Sequence, residues 1–197
     1  MTLDDAALDL ILRSARSQNA WQDKPVSDEQ LRALYDLFKW GPTTGNSSPA
    51  RILFLRTREA KQRLAPALVP SNVDKTLTAP VVAVIGHDLT FYEWLPRLYP
   101  VSPKMREVYA APDKKALAET TALRNGSLQG AYLIIAARAL GLDCGPMSGF
   151  DNGKVDEAFF KDTPIRSNFL CGLGHGDPAK LKPRGPKLSF EEACTLL

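Results

Sequence analysis

Between Ala131 and Leu140 nearly every residue is Ala, Leu, Ile or Tyr, with Arg138 the one interruption. A helix apolar on every side belongs inside a protein. The pattern therefore predicts one long, mostly buried helix in the stretch Ala118 to Phe150, around which the rest of the chain packs. Earlier in it, Gly126, Ser127, Gly130 and Ala131 set small residues at helical spacing. Each glycine lowers helix propensity by about 1 kcal/mol, which points to close approach of a second helix or a flat ligand. Gly141 is placed to stop the helix. Gly145 and Gly149 then frame a turn around Pro146, Met147 and Ser148, whose backbone N–H groups can face a ligand.

Shorter patterns fill in the remainder. Leu8, Ile11 and Leu12 recur at helical spacing within Asp4 to Ser14. Ser27 with Gln30 forms a capping-box pattern before a helix whose buried face is Leu31, Leu34, Leu37 and Phe38, ending near Trp40 and Gly41. RILFLR (51–56) reads as a strand, residues 59–68 as a short amphipathic helix, and 75–79 as a further helical turn. PVVAVIGH (80–87) is apolar and β-branched, the pattern of a central buried strand. Residues 155–160 read as a helix, and IRSNFLCGLGHG (165–176) as a third strand ending in a glycine-rich corner. Ser189 caps a last short helix with Glu191 and Glu192 in its first turn. Only 89–116, with Phe91, Tyr92, Trp94, Tyr99 and Tyr109 among prolines and charges, lacks a period; a mobile lid-like excursion is expected there.

A chain of 197 residues fits one domain. Its 44% hydrophobic and 24% charged content is ordinary for globular proteins, and a net charge of +3 without a basic stripe does not suit nucleic acid. No window is apolar enough to span a membrane, and the N-terminus is acidic and amphipathic, so a cytoplasmic protein is expected. Cys144, Cys171 and Cys194 are widely spaced without a CxxC pair. They suit buried thiols better than a disulfide framework or a zinc site, and no metal is expected.

Signatures of side-chain catalysis are missing: GxSxG, P-loop, HExxH and EF-hand do not occur, and His87 and His175 stand apart. GLGHGDP resembles a dinucleotide fingerprint only superficially, because the third glycine is out of place and no long helix follows. What stands out is donor-rich sequence. Arg16, Ser17, Gln18 and Asn19 follow the first helix; Gly41 to Arg51 is a long loop of hydroxyls, glycine and an amide; Lys180, Lys182, Arg184 and Lys187 cluster near the end. Each is also compatible with a solvated surface. Donor-rich loops without an acid, base or nucleophile are expected where a bound cofactor carries the chemistry.

Taken in order, these segments resemble the FMN-dependent nitroreductase family, in particular its malonic semialdehyde reductase-like branch, over essentially the whole chain. The family's Arg/Ser/Arg motif after the first helix is matched by Arg16, Ser17 and Asn19, with Gln18 between and an amide in place of the second arginine. PTTGN matches the segment that reaches the FMN of the neighbouring subunit, through Pro42, Thr43, Thr44 and Asn46. Asn72 and Lys75 fall where the family has residues beside the flavin ring and ribityl chain. Pro146, Met147, Ser148 and Gly149 match the backbone along the flavin's reactive edge, and Arg184 and Lys187 the basic residues that grip its phosphate.

The resemblance implies an α+β sandwich, with a mostly antiparallel sheet flanked by helices and the long central helix at a homodimer interface. It also implies FMN sites shared between subunits, and a C-terminal segment that extends to the partner. It implies ping-pong hydride transfer through flavin N5 from NADH or NADPH to a small acceptor: malonic semialdehyde, a nitro compound or a quinone. No side chain is assigned as catalytic. A flavin-binding or flavin-storage protein without turnover is the alternative, and neither nucleic acid nor membrane is an expected partner.

Overall fold

The computed structural model describes residues 2–197. Its frame is a four-stranded antiparallel sheet of β1 (Ala50–Leu55), β2 (Val81–Asp88), β3 (Asp143–Met147) and β4 (Ile165–Gly174), in the order β1-β2-β4-β3. As the unbroken apolar run requires, β2 is buried at every position. Side chains alternate across a strand, so β2 feeds two cores. Val81, Ala83 and Ile85 join Leu34, Phe38, Leu133 and Leu173 on one face; Val82 and Val84 join Leu64, Val155, Phe160 and Leu170 on the other.

The helices in chain order are α1 (Asp5–Leu8, continued as a π-helical turn to Arg13), α2 (Asp28–Phe38), α3 (Arg58–Leu64) and α4 (Pro70–Thr78). They are followed by α5 (Leu95–Leu98), α6 (Met105–Ala110), α7 (Lys115–Ala139), α8 (Asn152–Phe159) and α9 (Phe190–Ala193). The Ser27 capping box forms in full, with Ser27 N–H donating to Gln30 Oε1 at 2.9 Å and Gln30 N–H to Ser27 Oγ at 3.2 Å. Ser27→Ala should lower stability by about 1 kcal/mol, measured as a fall of roughly 2–4 °C in the thermal midpoint. Leu37 departs from expectation: it is 47% exposed, while Leu31, Leu34 and Phe38 are buried.

The central helix α7 is 25 residues long. Its glycines serve the sheet rather than a second helix. A Cβ on Gly126 would stand 2.9 Å from His87 Cβ, and one on Gly130 2.5 Å from Phe169 Cε1. The helix is not buried all round, however. Leu123, Leu128, Tyr132 and Ile135 lie on an outer face with Ala131, and their neighbours Tyr35, Leu37 and Trp40 on and beside α2 are also exposed. Several large apolar side chains of these two helices are thus left in solvent.

Other expectations are corrected by long-range contacts. GPMSGF is not a turn: residues 143–147 pair with β4 as an edge strand, so IRSNFLCGLG is the fourth strand rather than the third. The helical turn expected at 75–79 begins at Pro70. Segment 89–116 is ordered into short helices, and Phe91, Leu95 and Tyr109 bury themselves against Ala118 and Ala122 of α7. Cys144 and Cys171 are buried, but Cys194 is exposed. No helix among the described residues is long and apolar enough to cross a membrane.

Candidate functional site

The polar segment after α1 is held along the β3 edge of the sheet. Ser17 bridges to Cys144, Gln18 N–H donates to the Cys144 carbonyl at 2.9 Å, and Gln22 N–H to that of His175 at 2.8 Å. Trp21 anchors the segment. Its ring lies over Gly145, Gly172 and Gly174, where a Cβ on Gly172 would come within 2.5 Å of Trp21 Cζ2. The GLGHG glycines thus make room for an indole and, at Gly176, for the Gln18 side chain. Gln18 is buried, with Oε1 lacking a partner.

From Trp21 the network reaches α4. The indole N–H donates to the Lys75 carbonyl at 2.9 Å, and the Lys75 ammonium donates to Asn19 Oδ1 at 3.3 Å. One turn earlier, Asn72 Nδ2 donates to the Gly149 carbonyl at 2.9 Å, and Thr76 Oγ1 lies 3.5 Å from Met147 Sδ. Helix α4 thereby holds the end of β3, where Pro146 and Ser148 are exposed.

The tail closes the cluster. Arg16 donates to the Lys182 carbonyl, and Arg184 Nη2 donates to the Ala15 carbonyl at 2.9 Å. Burial, helped by the charge of Lys182, holds the Lys75 pKa below the usual lysine range. None of Arg16, Lys75, Lys182 or Arg184 has a carboxylate within ion-pairing distance among the described residues, although ten other ion pairs form there. Four cations without carboxylate partners, beside the buried Gln18, make a place for an anion.

The structure therefore brings together Arg16, Ser17, Gln18, Asn19, Asn72, Lys75, Pro146, Met147, Ser148, Gly149 and Arg184. Lys187, exposed further along the tail, takes no part in these hydrogen bonds. Pro42, Thr43, Thr44 and Asn46 lie elsewhere in the chain, before β1, with β2 and β4 between that edge and β3. Their loop is built with care: Thr44 N–H donates to Asn125 Oδ1 and Ala50 N–H to Gln129 Oε1, both at 2.8 Å. Asn46 and Ser48 hold positive φ of 49° and 43°, a strain that persists only where surroundings impose it.

Sequence reasoning missed Trp21, Asn125, Gln129 and the packing role of Gly172 and Gly176. Asn125 and Gln129 were visible as two amides in an apolar helix. Nothing local linked Trp21 to glycines about 150 residues away.

The sequence pattern of the Nitroreductase family matches residues 12–175. The HadB protein of Ralstonia pickettii, provisionally named an NADH dehydrogenase/NAD(P)H nitroreductase, is 60% identical over 190 residues, covering 96% of this chain and 97% of its own. A similarly named Cupriavidus pinatubonensis protein is 60% identical over 189 residues, 96% of each chain. Among solved structures, a provisionally named nitroreductase from Exiguobacterium sibiricum, in complex with FMN, superposes with a TM-score of 0.86 at 20% identity over 100% of this chain and 99% of that one. YdfN of Bacillus subtilis, also provisionally a nitroreductase, gives 0.89 at 18% identity over 98% and 100%. With its sheet order, its long central helix and a family match that spans most of its length, this chain belongs to the nitroreductase family.

Proposed function

We propose that the protein is an FMN-dependent NAD(P)H oxidoreductase, acting on a small electron-poor acceptor such as malonic semialdehyde, a nitro compound or a quinone. The observation that carries this reading is the carboxylate-free cluster of Arg16, Lys75, Lys182 and Arg184 beside a buried, unpaired Gln18 oxygen. A phosphorylated cofactor with a polar ring edge suits that donor set. FMN held there would supply hydride transfer through N5 between NADH or NADPH and the acceptor, in two half-reactions sharing one site.

The chain's own part is position and charge. Arg16 and Arg184, with Lys187, take the phosphate; Ser17, Gln18 and Asn19 line its approach; Lys75 places positive charge where a reduced ring gains negative charge, the preorganised stabilisation that lowers such a step. Asn72 acts on Met147–Gly149 by holding the Gly149 carbonyl. Residues 89–116, seated on α7 by their own core, are a cover for the acceptor. Use of the NAD(P)H pool supports a cytoplasmic location.

The active unit is a homodimer. Its support is the apolar outer face of α7 and the separation of the Pro42–Asn46 loop from the cation cluster, which a second copy would remove. A groove of about 1030 Å³ beside β1, lined by Phe38, Ile52, Phe54 and Trp94 with Arg32, Arg51 and Arg97, matches the exposed Leu188 and Phe190 and the acidic Glu191 and Glu192 of a partner's tail.

The test is the visible spectrum of the purified protein with and without FMN, followed by anaerobic NADH and NADPH. Flavin bands that bleach support the reductase; bands that persist leave a flavin-holding protein without turnover; no flavin uptake with excess FMN overturns the reading. Arg184→Ala should weaken FMN retention about tenfold, the worth of one charge-assisted hydrogen bond, without changing the dimer. Unchanged affinity in equilibrium dialysis would remove Arg184 from the phosphate site.

A further inference from the structure

Asn19 is the side chain of the polar segment whose acceptor oxygen meets one of the cations. The Lys75 ammonium donates to Asn19 Oδ1 at 3.3 Å, and the Lys75 carbonyl is held by Trp21 Nε1 at 2.9 Å. One side chain of segment 14–21 thus holds the charge of Lys75 while another holds its backbone. The surroundings of Lys75 carry no neutralising acid. Segment 14–21 faces it with Asn19 and Trp21, both uncharged; the tail contributes Lys182, a like charge; on its own helix, Asp74 is exposed and receives Thr78 Oγ1 at its carbonyl. A half-buried ammonium beside another cation would turn toward water unless an acceptor kept it in place.

We propose that Asn19 is a positioning residue, whose carboxamide oxygen aims the Lys75 ammonium into the anion site, and that Lys75 so held sets the affinity and reduction potential of the bound cofactor. This rests on the FMN reading above and deepens it, since Asn19 then works through Lys75 rather than by donating to the flavin itself. An arginine at position 19 would crowd a third cation against Lys75 and Lys182; an amide stabilises the ammonium without adding charge.

A pH dependence follows. Burial and Lys182 lower the Lys75 pKa, so the free protein sheds this proton earlier than an ordinary lysine does as pH rises. An anion in the site favours the protonated form, so binding takes up a proton and FMN affinity falls as pH rises through the Lys75 titration.

The experiment has one arm without cofactor and one with it. In the full-length protein free of FMN, acetylation of Lys75 by acetic anhydride is followed against pH by peptide mass spectrometry. Lys161 is the reference, its pKa raised by Glu157 at 2.6 Å. Lys75 should react at lower pH than Lys161, Asn19→Ala should move its midpoint up as the released ammonium turns to water, and Lys182→Met should also move it up. In the FMN-loaded protein, Lys75→Met should shift the midpoint potential negative and abolish the alkaline loss of FMN affinity. Asn19→Ala should shift the potential the same way by less, and Lys75→Arg should restore most of it. Asn19→Ala with an unmoved Lys75 titration and an unmoved potential overturns the proposal. Wild-type protein that takes up no FMN overturns the functional reading and the cofactor half of this one, while the acetylation arm still decides whether Asn19 governs Lys75.

Discussion

Gly172→Val is expected to lower stability by roughly 1–3 kcal/mol, the usual range for overpacking a filled site, and to release FMN at the same time. Gly172 pairs with Val82 on one side and Gly145 on the other, in the middle of the sheet. A Cβ there would stand 2.5 Å from Trp21 Cζ2, and the ring has little freedom to yield. A Cβ added at Gly145 or Gly174 would likewise stand 3.2 or 3.1 Å from the ring, so it is closely flanked, and its N–H is tied to the Lys75 carbonyl at 2.9 Å. The indole must tilt outward, which breaks that bond and loosens segment 14–21, and with it Arg16, Gln18 and Asn19. Urea unfolding gives the stability change and equilibrium dialysis the loss of FMN. Gly185→Ala is the control, since nothing lies within 4 Å of the added carbon. A Gly172→Val protein with wild-type stability and FMN content would show that Trp21 moves freely and does not anchor the site.

The second large effect concerns assembly. Ile135→Glu should leave the fold of the single chain intact, since the side chain is 37% exposed and its charge stays solvated there. In a dimer packed through the outer face of α7, that carboxylate would be buried among Leu128, Tyr132 and their counterparts, at a cost of several kcal/mol without a partner cation. On the proposed homodimer, sedimentation velocity should therefore show a monomer for the variant against a dimer for the wild type. FMN retention should fall with dissociation, because the Pro42–Asn46 loop would no longer meet the cation cluster. A variant that sediments as the wild type does would exclude this face as the interface.

How far the sequence reaches can be judged from particular elements. The Ser27 and Ser189 caps, the stop at Gly141 with φ of 75°, the buried run of β2 and the existence of α7 were all legible. Each depends on residues a few positions apart, where capping geometry and periodicity act directly. Part of the site's chemical character was legible for the same reason, since Arg16 and the basic tail around Arg184 suit an anion by their type, whatever the fold. By itself the sequence determined the helix ends, the central strand, the family resemblance and the donor inventory.

Tertiary structure decided the rest, because the deciding partners are remote in the chain. Residues 143–147 carry no strand alternation and include Pro146; they are a strand only because β4 offers an edge to pair with. The GLGHG glycines have no local meaning until Trp21 and Gln18 are laid over them. One face of α7 meets the sheet while Leu123, Leu128 and Ile135 on another stay exposed, a division that an apolar sequence all round cannot encode. Asn19 reads as a donor like its neighbours until Lys75, 56 residues on, arrives to use its oxygen. Periodicity reports on what is near in sequence, whereas burial and charge pairing are settled by what the fold brings near in space.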